Sequence, residues 1–525
     1  MNRTTLSLIA AATALAAVTG FASLSAPADA DATAAGTVAR LPVERTSQLC
    51  PAPSVSDVAE TTYTSVTPTG KGGADSEPAA DAGGSAELRE STVTLAEPGG
   101  TDDDKKEDDK KEEEKQDDAA KGSASDGKPF VTLKEPGTPV SAESSGANSP
   151  ALVGTATGRL APGWTTQQTT TVSVGGARGL LGMTCTAPDT DFWFPGASTE
   201  RSRQDYVHLT NPDDTVAIAD IELYGPDGAL KSETGEGIPV PARSSVPVLL
   251  STLTGEAAPN VTVHVSTRAG RVGAAVRAAD EAGGSDWLTA SGTPAGSVVL
   301  PGIPADATDV RLVVLATGSA DADLKVQLAT PDGTITPAGH ESLHVKSQMT
   351  AALELGDITK GEPGSLVLTP SGSAAPVVAA LRVVRGKGEK REIAFIPATA
   401  PIASRATVAD NRAKGSTLSL TAPGAAAKVK VTSSPGTEGG EATVETYDVK
   451  ARSTLAVTPK APAGLKGAYA LTVEPESGGP VHAARTLALP EDGIAMFTVQ
   501  TLPDDRGTVS VPRAEEDLSV LDNGK

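Results

Sequence analysis

From about residue 201 the chain repeats itself in three diverged copies of a unit of about 105 residues, and this period limits the fold to a string of similar small modules. A first strand recurs as Val207-His208-Leu209-Thr210, Val313-Val314-Leu315-Ala316 and Thr417-Leu418-Ser419-Leu420. Val240, Val345 and Val449 keep step with it. So does a V-x-A-A segment opened by Val272, Val377 and Val481, which ends near Arg277, Arg382 and Arg485. Within each copy, short alternating apolar runs are punctuated by Gly, Pro and Asp, and no stripe of 3.6-residue period appears. Ala217 to Tyr224 alternates and stops at Pro226-Asp227-Gly228; Leu324 to Leu328 does the same before Pro331-Asp332-Gly333. Proline presets φ for such a turn and glycine accepts the positive φ that closes it. The pattern predicts an all-β fold of tandem immunoglobulin-like β-sandwich domains.

The series extends toward the N-terminus. Leu181 to Cys185 followed by Phe192-Trp193-Phe194-Pro195-Gly196 parallels Val272 to Val276 followed by Trp287, while Cys50-Pro51-Ala52-Pro53 aligns with Leu209-Thr210-Asn211-Pro212. The excess spacing in this first copy falls on residues 70–127, rich in Gly, Ala, Ser and charge, including the run from Asp102 to Glu114. Such a segment buries too little apolar area to offset its ordering entropy, so a disordered acidic insert is expected there. Val93-Thr94-Leu95 reads as linker and Val131-Thr132-Leu133 as a strand. The expected organisation is a signal peptide at 1–30, a sandwich at 31–200 interrupted by the insert at about 70–127, sandwiches at 201–305, 306–408 and 409–512, and a flexible tail at 513–525.

Arg3, the apolar stretch from Leu6 to Leu24 and Ala28-Asp29-Ala30 have the pattern of a cleaved export signal, the alternative being an uncleaved N-terminal tether. Two cysteines, Cys50 and Cys185, suit one disulfide in an oxidising compartment. In the register above, Cys50 takes a core position of an early strand and Cys185 that of Val276 in a late one. The expected bridge pins the two sheets of the first sandwich, with Trp193 packed on the sulfurs. Net charge of −22 argues against nucleic acid and anionic lipid as partners. Only 3% of residues are aromatic, so the cores draw on Val, Leu, Ile and Ala.

Chemistry-bearing motifs are few. His340-Glu341-Ser342-Leu343-His344 spells the zinc-protease pattern, which needs both histidines on one helical face. Here the segment enters a predicted strand, where positions four apart lie about 13 Å from one another, too far for one tetrahedral ion. The metalloprotease reading is therefore remote, and no metal or cofactor is assigned. His208, His264 and His482 read as ordinary strand residues. No nucleophile elbow, C-x-x-C pair or phosphate loop is present in the sequence. Phe192, Trp193 and Phe194, beside Asp189 and Asp191, form the densest aromatic cluster. Core packing is the plainer reading, with Trp193 inward; a ligand platform for sugars is the sharper one.

The signal, Leu41-Pro42-Val43-Glu44-Arg45, Cys50-Pro51-Ala52-Pro53, Cys185 through Phe194-Pro195-Gly196, and Asn211-Pro212 to Gly225-Pro226-Asp227-Gly228 together resemble the secreted actinobacterial proteins of domain-of-unknown-function family 5719. The resemblance implies an exported envelope protein and supplies no activity, cofactor or functional residue. The expectation is a non-enzymatic interaction or scaffold protein outside the membrane, bound to an extracytoplasmic protein or cell-wall polymer. The alternative is a cell-wall or carbohydrate-binding protein.

Overall fold

The computed structural model describes residues 39–69, 83–94, 128–232 and 234–511. The signal, the segments 70–82 and 95–127 of the insert, and the tail from residue 513 lie outside the described residues. Two units are distinguished. The smaller holds the two ends of the described chain, where Ala39–Pro42 and Thr508–Val511 form a two-stranded sheet. The larger, residues 42–508, carries everything that follows.

Alternation builds the strands as the sequence suggests. In Ala217–Gly225, Ala217, Ala219, Ile221 and Leu223 are buried while Ile218, Asp220 and Glu222 face outward. The strand turns back through Pro226-Asp227, with Gly225 opposite Gly228. Gly228, Gly333 and Gly439 hold φ of 109°, 132° and 125° at equivalent turns, a backbone region that side chains strongly disfavour. Among the described residues there is no α-helix.

Four sandwiches share one eight-strand plan. In the first, the strands are Arg45–Cys50, Ala59–Val66, Ala86–Val93, Val131–Leu133, Val140–Ser145, Ala151–Thr157, Thr165–Val172 and Gly179–Thr184. In every copy one set of strands runs in the order first, sixth, third, fourth, and the other fifth, second, seventh, eighth. This is the two-sheet architecture expected from the strand spacing, with its own Greek-key order. Thr92 and Val93 pair in parallel with Ser244 and Ser245, so that one sheet of the first sandwich and one of the second form a single eight-stranded sheet.

Two sequence expectations change. Strand Ala86–Val93 lies inside the span read as insert, with Ala86 and Leu88 fully buried; only two apolar side chains point inward, too few for periodicity to reveal. Each later sandwich also begins before its repeat landmark. Asp191–Ala197 pairs with Val261–Ala269, Val298–Ile303 with Gly364–Pro370, and Ala406–Asn411 with Tyr469–Gly478. These first strands join their sixth partners across about 60 residues, a pairing that local pattern does not record.

Within the larger unit the sandwiches touch in cyclic order. The first strand of each lies against the seventh strand of the next, and Ala406–Asn411 of the fourth lies against Thr165–Val172 of the first. The V-x-A-A motif is explained by this arrangement. Its first alanine (Ala274, Ala379, Ala483) faces its own core, and its second (Ala275, Ala380, Ala484) faces the preceding sandwich, where a larger side chain would hold the two apart. The eighth strands, Gly179–Thr184, Gly284–Leu288, Glu392–Pro397 and Phe497–Thr501, meet one another in the same cyclic order. The arginines that close the motif are not equivalent. Arg277 and Arg382 point away from their own cores, whereas Arg485 continues the inward face of Val481 and Ala483.

Candidate functional site

Cys50 and Cys185 are bonded, with an S–S distance of 2.02 Å and Cα atoms 4.6 Å apart. The bridge does join the two sheets of the first sandwich, but the register that suggested it is off by one strand. Cys50 ends the first strand, and Cys185 follows the eighth, whereas Leu209 and Val276, with which they were aligned, lie in the second and seventh strands of their sandwich. Backbone bonds between Leu49 and Thr186, at 2.8 and 3.0 Å, complete the closure. Trp193 is not at the sulfurs. Trp164 shares the cluster with both cysteines, donates its indole N–H to Ser65 Oγ at 2.8 Å, and is the tryptophan the sequence reading missed.

The aromatic triplet splits by strand alternation, in the opposite sense to the expected one. Phe192 and Phe194 enter the core of the second sandwich, their rings 6.4 Å apart, while Trp193 faces outward. Trp193 stacks on His264 at 3.8 Å and lies beside Tyr224, Leu315 and Val378. The three strands place Trp193, His264 and Glu222 in one cross-strand row. His264 Nε2 is 2.8 Å from Asp191 Oδ2 and Nδ1 is 2.9 Å from Glu222 Oε2; the Trp193 indole N–H donates to Asp191 Oδ1 at 2.8 Å. The triplet therefore does not form one platform. Trp193 alone reaches the outer face, among two half-exposed carboxylates.

The zinc-protease pattern is likewise dispersed. His344 lies in strand Ser342–Val345 with Nδ1 2.8 Å from Asp323 Oδ1, and Glu341 accepts from the Gly339 N–H at 2.9 Å. No group of three or more metal-capable side chains with ligating geometry occurs among the described residues. His208 and His482 are buried, and burial lowers both: His208 well below the usual range, with Arg277 adding to the effect, and His482 to about 4.

The densest buried polar group had no sequence signal. It lies where the eighth strands meet. Asp286, fully buried in the second sandwich, accepts from the Gly182 N–H of the first at 3.1 Å, and the Thr498 hydroxyl of the fourth lies 3.0 and 3.1 Å from its two oxygens. Gln500 donates to Thr498 Oγ1 at 2.7 Å. Glu392 of the third sandwich accepts from Arg178 of the first at 2.8 Å. Burial drives the Asp286 carboxyl well above the ordinary range, and nearby Glu392 pushes it further. Burial likewise raises Glu392 to about 7 against the opposing pull of Arg178. Gly182 is required there, since a methyl group would overlap Thr498 and Gln500. These groups hold all four sandwiches to one another, while Glu392 Oε2 and Gln500 Oε1 stay buried without a hydrogen-bond partner.

Fold and site together define a multi-sandwich all-β protein whose buried polar groups bridge its sandwiches. The family of unknown function DUF5719 matches residues 140–460, more than half of the chain, and the protein belongs to that family. No curated protein matches it.

Proposed function

We propose that this is an exported, non-enzymatic interaction or scaffold protein of the cell envelope, holding an extracytoplasmic protein or wall polymer on a rigid set of sandwiches. The cyclic packing of four sandwiches, tied by Asp286, Thr498, Gly182, Glu392 and Arg178, is the observation that carries the reading. It makes a stiff body with outer strand edges and loops to present, which suits display rather than catalysis. Export is supported by the Cys50–Cys185 bridge, by the signal-like start of the sequence and by the resemblance to secreted proteins. No helix among the described residues is long and apolar enough to cross a membrane. The net charge of −22 disfavours nucleic acid as the partner.

The test is in-cell cross-linking of the tagged chain followed by fractionation. Recovery of an envelope protein or wall fragment in the extracytoplasmic fraction is expected. Retention of the tagged chain in the cytoplasm, or turnover of a wall substrate by the purified protein, overturns the reading.

Wall-polymer binding is a second reading, favoured by the outward Trp193 between Asp191 and Glu222. Loss of retention on insoluble wall polymer in Trp193→Ala, with circular dichroism showing that the variant is still folded, is the expected result. Equal retention of both proteins removes that reading.

A further inference from the structure

The fourth strands of the four sandwiches, which form an outer edge of one sheet, differ in length. Three are short: Val131–Leu133, Ile238–Val240 with Pro239 at its centre, and Ser342–Val345. Short length and proline are the usual guards of an edge that would otherwise recruit another strand. The fourth sandwich carries Thr443–Val449 instead, seven residues with no proline, lysine or glycine. Its inner side pairs with Ala427–Gly436 from Thr443 opposite Ser433 to Val449 opposite Ala427. No strand among the described residues pairs with its outer side.

Two further observations point to occupation of that edge. Val444 is 59% exposed, an apolar side chain on an unpaired strand. Immediately before it, the edge already receives an added strand, since Ala463–Lys466 pairs with Gly439–Glu441. Strand addition thus begins within the chain and stops where Thr443 starts.

We propose that the free edge of Thr443–Val449 binds a second copy of this chain, antiparallel, through the same seven residues about a two-fold axis at Thr446. An axis normal to the sheet preserves its two faces and therefore falls on a residue, and Thr446 is the position that pairs the whole strand. In that register Glu445 faces Tyr447 of the second copy, Val444 faces Asp448, and Thr443 faces Val449, so no carboxylate opposes another. Tyr447 already donates to Glu445 within one strand; across the axis the same two groups stand directly opposite on one face. Axes at Glu445 or Asp448 would set like charges against each other, at a cost. Asp448 also has Lys428 beside it within its own sheet. Long-range repulsion between two acidic chains is largely screened at physiological salt, where the Debye length is about 8 Å.

The experiment is sedimentation velocity with light scattering on the full oxidised chain at 0.15 M salt. The wild type is expected at twice the 52.6 kDa chain mass. Thr446→Asp and Thr446→Lys each put like charges on the axis and are expected to be monomers, with circular dichroism and melting temperature unchanged because Thr446 is exposed. An equimolar mixture of the two is expected to recover the dimer as a mixed pair. Val444→Asp, which faces Asp448 of the second copy, is the independent variant and is expected to be monomeric. A monomeric wild type, a dimeric Thr446→Asp, or a mixture that stays monomeric overturns the proposal.

Discussion

The junctions between successive sandwiches and the junction that returns from the fourth to the first are built from different chemistry. Between first and second, Trp287 and Ala275 pack with Leu181 and Met183; between second and third, Ile393 and Phe395 enter the core of the second; between third and fourth, Phe497 and Val499 enter the core of the third. Where the first sandwich meets the fourth, no aromatic plug is supplied. Gly182 takes the facing position, and the neighbouring seventh strand carries Gln167 and Thr169. On the other side Asp410 and Arg485 are buried in the fourth sandwich, the half-exposed Arg412 pairs with Asp410, and Arg405, ion-paired to Asp505, donates to the Pro162 carbonyl of the first at 3.3 Å. Burial raises Asp410 and lowers Arg485 to about 10, each opposed by the other's charge. Apolar plugs stabilise by area and tolerate small shifts, whereas buried charges are held by geometry and gain little net stability. The three successive junctions rest on aromatic plugs, whereas the closing one combines buried charges with smaller apolar contacts, Leu180 with Leu487 and Met496 and Val66 with Ala409 and Ala470.

Truncating a plug should have the largest effect. Trp287→Ala and Phe395→Ala are each expected to destabilise by about 3–5 kcal/mol, the range for large aromatic deletions, measured by urea unfolding. Losses under about 1 kcal/mol would show that these junctions are not apolar in energetic terms.

At the closing junction, Arg485→Leu alone leaves Asp410 with less compensation and is expected to cost about 3 kcal/mol. Paired with Asp410→Asn, most of that cost should vanish, because neither buried charge is then left uncompensated and the half-exposed Arg412, which loses its ion pair with Asp410, can turn to solvent. Asparagine also suits the positive φ of 55° at position 410. A double variant as unstable as the single one would mean that the charges are net stabilising, and the contrast with the plugs would fail.

A third expectation concerns pH. Asp286 and Glu392 both have raised values in the folded protein, so the folded state binds more protons than the unfolded one. The contribution of these two groups is then greatest below their unfolded values, near pH 4, and falls as pH rises, for Glu392 completely above about 7; the buried His208 and His482, with lowered values, contribute in the opposite sense up to about pH 6.5. One such group contributes a slope of at most about 1.4 kcal/mol per pH unit. Asp286→Asn should flatten the decline in melting temperature between pH 4 and 8, and Glu392→Gln should flatten it less. A pH slope unchanged in Asp286→Asn relative to the wild type would place the titrating groups elsewhere.

Much of the fold was legible because alternation, turns and the repeat period are local or periodic signals. The Pro-Asp-Gly turns, the strand character of Val131–Leu133 and the V-x-A-A segments all follow from residues a few positions apart. The disulfide was legible from a count of two cysteines, yet its register slipped by one strand because Cys50 aligned by neighbouring prolines rather than by the sheet it joins. Alternation announced that the aromatic triplet would split, but which face was inward depended on Val263 and Val265 across the sheet, opposite Phe194 and Phe192. The cluster around Asp286 had no signal at all. Its members come from positions 178, 182, 286, 392, 498 and 500, one or two from each sandwich, and no spacing connects them.

By itself the sequence determined an all-β chain of four related units, the cysteine pair and the positions of the tight turns, since hydrophobic period and turn stereochemistry act over a few residues. Only the tertiary structure decided that the units touch in a cycle, that the second alanine of each V-x-A-A segment is a contact with the preceding sandwich, that a lone buried carboxylate bonds to the first and fourth sandwiches, and that Thr443–Val449 is an unpaired edge. Those outcomes depend on surfaces meeting across a hundred residues or more, where packing and desolvation act without regard to chain order.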